Sequence, residues 1–262
     1  IMSSLFLRLA LGLSLCLAGV PAWAALTDAQ AINMAGMQRM LSQRIAKNYL
    51  MLGSQVRPDV ANQQLDESLA TFDSNQQALN AYAPNAEISA QLQRTEQLWQ
   101  LYRQQALSPA DQASAIRLFE QSEQLRAQTE RLVSMIEQHA GSSTAQLINR
   151  SGRQRMLSQR IATLYLALSW KLAIPNLPEQ FQQAVDEFDQ SLSALQAAPQ
   201  NSPQINAALD KAQAQWAFSR AGFQLSAESR YVPTLITTTT ETLLRQMQEL
   251  TSAYTQLLAA QS

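Results

Sequence analysis

Apolar and polar residues do not alternate with period two anywhere in this chain for long enough to suggest a strand. Alanine, leucine and glutamine dominate and glycine is scarce, so residue types and patterning both predict helix. Proline punctuates it, because it opens or ends helices. In the first half the breaks fall at Gly53 to Pro58, Pro84-Asn85 and Ser108-Pro109, predicting helices near 28–53, 59–82, 86–107 and 110–140. In the second half they fall at Pro175 to Pro178, Pro199 to Pro203 and Pro233, predicting helices near 144–173, 178–197, 203–229 and 233–260. Four helices per half joined by short loops predict an all-α fold of two tandem four-helix up-and-down bundles.

The halves are copies. Residues 32–50 read INMAGMQRMLSQRIAKNYL and residues 148–166 read INRSGRQRMLSQRIATLYL, with 14 of 19 positions identical at an offset of 116. Phe72-Asp73 and Leu79 match Phe188-Asp189 and Leu195 at the same offset. After one inserted residue, Leu92, Trp99 and Arg103 match Leu209, Trp216 and Arg220. The predicted units span 26–140 and 144–262, a duplicated domain rather than a solenoid of short repeats. Each has enough chain to bury a workable core.

At 100° per residue, Ile32, Gly36, Arg39, Gln43, Ala46 and Leu50 fall within about 40° of one line on the repeated helix. Their counterparts Ile148, Gly152, Arg155, Gln159, Ala162 and Leu166 are all identical. The opposite side carries Met34, Met37, Leu41, Ile45 and Leu52, and it is less well kept, with Arg150 and Arg153 in place of the two methionines. One side therefore suits the helix's own bundle and the other needs a second partner. Glycine costs a helix about 1 kcal/mol relative to alanine but lets another helix come close. An arginine in such a contact needs an anion or an acceptor.

If the two copies lie side by side, Arg39 and Arg155 face each other across a pseudo-twofold axis. Two guanidinium groups in a dry interface require something negative between them. A small planar oxyanion suits this geometry, since each guanidinium fork donates two parallel hydrogen bonds. Gln43 and Gln159 are candidate secondary donors. The junction Gly141-Ser142-Ser143-Thr144 holds turn residues. A reversal there lets the first helices of both copies pair within a monomer, whereas a straight run places the bundles end to end and leaves pairing to a homodimer.

Composition narrows the function. Residues 1–24 read as an export signal: Met2 as start, Arg8 as the basic residue, an apolar run from Leu9 to Val20, and Ala22-Trp23-Ala24 before the cleavage point. Cys16 follows Leu15, a poor context for lipid attachment, and no later stretch is apolar enough to span a membrane. The expectation is an exported, soluble, periplasmic protein. Removing the leader removes the one cysteine and leaves one histidine, His139, so disulfides and His/Cys metal sites are excluded. The remaining 18 basic and 20 acidic residues argue against a nucleic-acid partner. No nucleophile-and-base set, phosphate loop or H-E-x-x-H motif appears, so neither an enzyme nor a cofactor is expected.

The segments N-x-x-G-x-Q-R-M-L-S-Q-R-I-A resemble the opening helix of the PilJ-type sensor domain. That domain occurs in type IV pilus chemotaxis transducers, with a related form in nitrate/nitrite sensor kinases. The resemblance covers both repeats. It implies a periplasmic four-helix bundle that dimerises and, in the kinases, holds nitrate between paired first helices through the arginine of an R-M dipeptide. By motif position that arginine corresponds to Arg39 and Arg155; Asn33, Asn149, Gly36, Gly152, Arg44 and Arg160 also match. The wording Q-R-M-L-S-Q-R-I-A is closer to the transducer version than to the nitrate-kinase version. No kinase, methyl-accepting region or output helix is read in these residues, so an exported binding or accessory protein is expected rather than a receptor.

The leading expectation is thus a small-oxyanion-binding protein, nitrate or nitrite first. Its ligand-binding set is Arg39, Arg155, Gly36, Gly152, Gln43, Gln159, Asn33 and Asn149. The alternative is an interaction module whose same face docks onto a receptor or pilus-associated protein, the arginines meeting acidic side chains there. A purely structural pairing of the arginines with acids on a neighbouring helix of the same bundle is the plainer expectation. Arg44 and Arg160 point about 140° away from the first pair, with Asp73 and Asp189 as expected partners. Trp99, Trp216 and the motif methionines are expected in the core, and His139 as a helix-end charge. Tyr49 and Tyr165 have no obvious polar neighbour, and Thr237 to Thr240 is a run of poor helix formers.

Overall fold

The computed structural model describes residues 25–227 and 231–261. The predicted leader lies outside them. Among the described residues there are eight helices and no strand: α1 (Asp28–Gly53), α2 (Pro58–Tyr82), α3 (Ala86–Ala106), α4 (Gln112–Ala140), α5 (Ser143–Ser169), α6 (Leu177–Gln196), α7 (Pro203–Ala227) and α8 (Pro233–Ala259).

The boundaries follow from local chemistry. Thr27 and Gln30 form a capping box at the start of α1. Asn85, Asp111 and Ser142 each accept from a backbone amide three residues on, at the starts of α3, α4 and α5. Prolines occupy the first turns of α2, α6 and α8. Helix α4 starts two residues later than the proline break suggested, because Asp111 is the cap. Helix α5 ends at Ser169 rather than near 173, because Lys171 turns left-handed at φ 56°. Thr237 and Thr240 sit within α8, their hydroxyls donating to the carbonyls of Pro233 and Ile236 four residues back.

Helices α1–α4 pack as one bundle and α5–α8 as another. The chain reverses at Gly141, which caps α4 in the left-handed region at φ 66°, and Ser142 caps α5 at once. Successive reversals bring α1 and α5 together in parallel, and these two helices pack against each other along the molecular centre. Helix α4 also touches α5, and α8 touches α1. The result is an inner layer of α1, α4, α5 and α8, with the remaining helices outside. Both repeated helices are consequently buried on nearly every side, which explains why neither presents one clean apolar stripe.

Each bundle core is built around a close aromatic pair, Phe72 stacked on Trp99 at 3.9 Å and Phe188 tilted against Trp216 at 4.1 Å between ring centroids. Each indole N–H donates to an aspartate, Trp99 to Asp73 at 2.7 Å and Trp216 to Asp189 at 2.6 Å. Arg103 and Arg220 complete these two sites.

Candidate functional site

Side chains on a helix lean towards its N-terminus, so Arg39 on α1 and Arg155 on α5 each reach back across the interface to the other helix. Arg39 Nη1 donates to Asn149 Oδ1 at 2.9 Å, and Nη2 donates to the Asn149 carbonyl at 2.9 Å. Arg155 mirrors this, donating to Asn33 Oδ1 at 2.9 Å and to the Asn33 carbonyl at 3.0 Å. Both side chains are buried, 0% and 1% exposed. Both Nε–H groups are buried without a partner.

Glycine makes the crossing possible. A Cβ placed on Gly36 would lie 3.0 Å from Arg155 Nη2, 3.9 Å from Arg39 Nη2 and 4.0 Å from the Gly152 Cα. One placed on Gly152 would lie 3.1 Å from Arg155 Nη2 and 3.4 Å from Arg39 Nη2. The two guanidinium groups therefore converge over a floor of bare backbone. Arg39, Arg155, Gly36, Gly152, Asn33 and Asn149 come together at this one place. Gln43 and Gln159 lie further along the helices, their amide donors directed at the carbonyls of Ser122 and Thr240 at 3.4 and 3.5 Å. Their Oε1 atoms are buried and unpartnered.

The site is not symmetric in charge. Arg39 is ion-paired with Glu130 of its own bundle at 2.7 Å, and Glu130 also meets Arg153 at 2.7 Å. Burial works against ionisation of Glu130, but the charges of Arg39 and Arg153 outweigh it and hold its carboxyl below the usual range. Arg155 has no carboxylate within ion-pair distance among the described residues. Burial, reinforced by the charge of Arg39, lowers its pKa to about 9, leaving it a cation at neutral pH. The expected pairing with an acid on a neighbouring helix of the same bundle thus describes Arg39 and not Arg155.

Arg44 and Arg160 do not meet Asp73 and Asp189, which are occupied by Trp99, Arg103, Trp216 and Arg220. They reach instead across the repeat boundary. Arg44 pairs with Glu241 of α8 at 2.6 Å, beside Lys47 at 2.7 Å, and Arg160 pairs with Glu123 of α4. These acids had no signal in the first-helix motif. Matching the fourth helices at an offset of 118 aligns Glu123 with Glu241 and Ser122 with Thr240, so the recurrence of these acids was visible although their partners were not. Tyr49 and Tyr165, which lacked an obvious polar neighbour, bond the loops that enter the fourth helices: Tyr49 donates to the Pro109 carbonyl, and Tyr165 accepts from the Val232 amide. His139 lies in the last turn of α4, 4.0 Å from Asp28.

The sequence profile of the family described as "Type IV pili methyl-accepting chemotaxis transducer N-term" (PilJ) matches residues 21–120 and again 140–261. The methyl-accepting chemotaxis protein McpN of Pseudomonas aeruginosa is 33% identical over 121 residues. That alignment covers 43% of this chain and 23% of the relative, so the chain spans about a quarter of the relative's length. No solved structure matches the chain.

Proposed function

The chain belongs to the PilJ family of chemotaxis-transducer N-terminal domains, carrying two copies in tandem, and from that premise we propose that it is a periplasmic sensing protein whose ligand is a small oxyanion, nitrate or nitrite first. The observation that carries the reading is Arg155, a fully buried cation facing a second arginine with no acid of its own. Glu130 offsets the charge of Arg39, so the pair has one positive charge left over. A monovalent anion neutralises that surplus. A planar one matches the edges that the asparagines leave open, where each unused Nε–H lies beside an Nη2 amino group. Chloride supplies charge without directional acceptors, and sulfate brings one charge too many.

In this reading Arg39 and Arg155 bear the charge contacts, Asn33 and Asn149 hold the guanidinium groups, and the glycines keep the helices close. Gln43 and Gln159 serve at most from the next turn. The anion draws α1 and α5 together. That shifts one bundle against the other and changes the surface offered to a receptor-type partner. No catalytic step is part of the reading.

Isothermal titration calorimetry of the protein with nitrate, nitrite, chloride and sulfate tests it. Saturable binding of nitrate or nitrite, abolished in Arg155→Ala and Arg39→Ala, supports the site. An absence of heat with every anion from folded protein sinks it. It would favour the interaction-module reading, and the next search would be for a protein partner.

A further inference from the structure

The two ends of the arginine pair differ at several positions, among them the one that gives Arg39 its carboxylate. At the offset of 118 that aligns α4 with α8, the position matching Glu130 is Gln248. The alignment is physical as well as sequential: Glu123 and Glu241 receive Arg160 and Arg44 from across the repeat boundary, and the carbonyls of Ser122 and Thr240 accept from Gln43 and Gln159 of their own bundles. Where α4 gives Arg39 a carboxylate, α8 carries a neutral amide in the groove that Arg155 also lines, its Nε2 approaching the Met37 sulfur at 3.6 Å.

The surroundings diverge accordingly. Beside Arg155 a groove of about 550 Å³ runs between α1 and α8, lined by Asn33, Met37, Arg245, Gln248 and Glu249 among others. On the other side a smaller hollow of about 250 Å³ holds Glu130, Glu137, Asn149, Arg150 and Arg153. Its two carboxylates are engaged, Glu130 with Arg39 and Arg153, Glu137 with the Asn149 amide.

We propose that Gln248 makes this site single-ended: by withholding from Arg155 the carboxylate that Glu130 gives Arg39, it leaves the α1/α8 groove as the mouth through which the anion enters and is held. This rests on the oxyanion reading above. Arg155 is the primary contact, Arg39 the secondary one, and Gln248 the specificity determinant. A homodimer of one bundle could not be built this way, because any change at one end would appear at the other.

The test is calorimetric titration with nitrate of the wild-type chain and of Gln248→Glu, Gln248→Leu and Glu130→Gln, with an anion-free melting curve for each. Gln248→Glu is expected to weaken nitrate binding roughly tenfold or more, as one opposite charge beside a buried cation does, and to raise the anion-free melting temperature. Gln248→Leu is expected to bind within about threefold of wild type, since the missing charge and not the amide is what counts. Glu130→Gln is expected to admit sulfate. Wild-type-like binding by Gln248→Glu overturns the proposal, and so does an equal loss in Gln248→Leu, which would make the amide a simple contact. If the wild-type chain binds no anion at all, the oxyanion reading itself falls, an outcome distinct from either of these.

Discussion

Arg155 is held by Asn33 and by little else, whereas Arg39 has both Asn149 and Glu130. Removing an acceptor from a buried guanidinium leaves its desolvation uncompensated. Asn33→Ala is therefore expected to destabilise the protein by about 2 kcal/mol and Asn149→Ala by about half that, read from urea unfolding. Equal losses would show that Glu130 does not support Arg39. Asn48 offers the opposite case. Both polar atoms of its fully buried side chain lack partners, and its counterpart in the second copy is Leu164. Asn48→Leu is expected to stabilise by about 1 kcal/mol, the gain from no longer burying an unpaired amide less some overpacking. A fall in the urea midpoint would mean that the amide has a partner.

At the scale of elements, the inner helices are tied by ions that cross between the repeats. Lys47 is buried and its pKa is lowered to about 8, chiefly by desolvation, while burial of Glu241 is outweighed by Lys47 and Arg44, which pull it to about 2. Glu241→Gln strands both cations and is expected to cost about 3 kcal/mol, with Lys47→Met in the same chain recovering part of it. A double variant no more stable than the single one would count against the pair. The sign of the pH effect follows from the depressed carboxyl. Above the ordinary carboxylate range both states are ionised and the full contribution is present. As pH falls towards 2 the unfolded chain takes up its proton first, and stability is lost. Urea midpoints at pH 6 and pH 3 measure this, and an acid-insensitive midpoint would refute it. Such pairs also mark where sequence reading stopped. The helices were legible because prolines and caps act within a turn of themselves, and the arginine face was legible because it repeats. Glu241 was not, since nothing near Arg44 announces a partner 197 residues away.

For the whole molecule, the central helices leave neither half self-sufficient. Ile32, Ala46 and Leu50 on α1, and Ile148, Ala162 and Leu166 on α5, are all at most 1% exposed. A fragment ending at Gly141 uncovers the first set along with Arg39, so it is expected to dimerise or aggregate, whereas the intact chain stays monomeric. Sedimentation of both across a hundredfold concentration range checks this. A well-behaved monomeric half would show that the pairing is dispensable. The side-by-side arrangement was one of two that the sequence allowed, and the left-handed Gly141 followed at once by the Ser142 cap is what turns the chain back. If the chain is the sensor proposed above, that turn has a consequence for signalling. A receptor assembled from two separate subunits loses its ligand pocket on dilution, so its response depends on how much protein the cell makes. Here the second half is supplied at a fixed local concentration, about millimolar or more for a short connection. Under the proposed oxyanion reading, occupancy then reports the anion level alone, even when only a few copies are present.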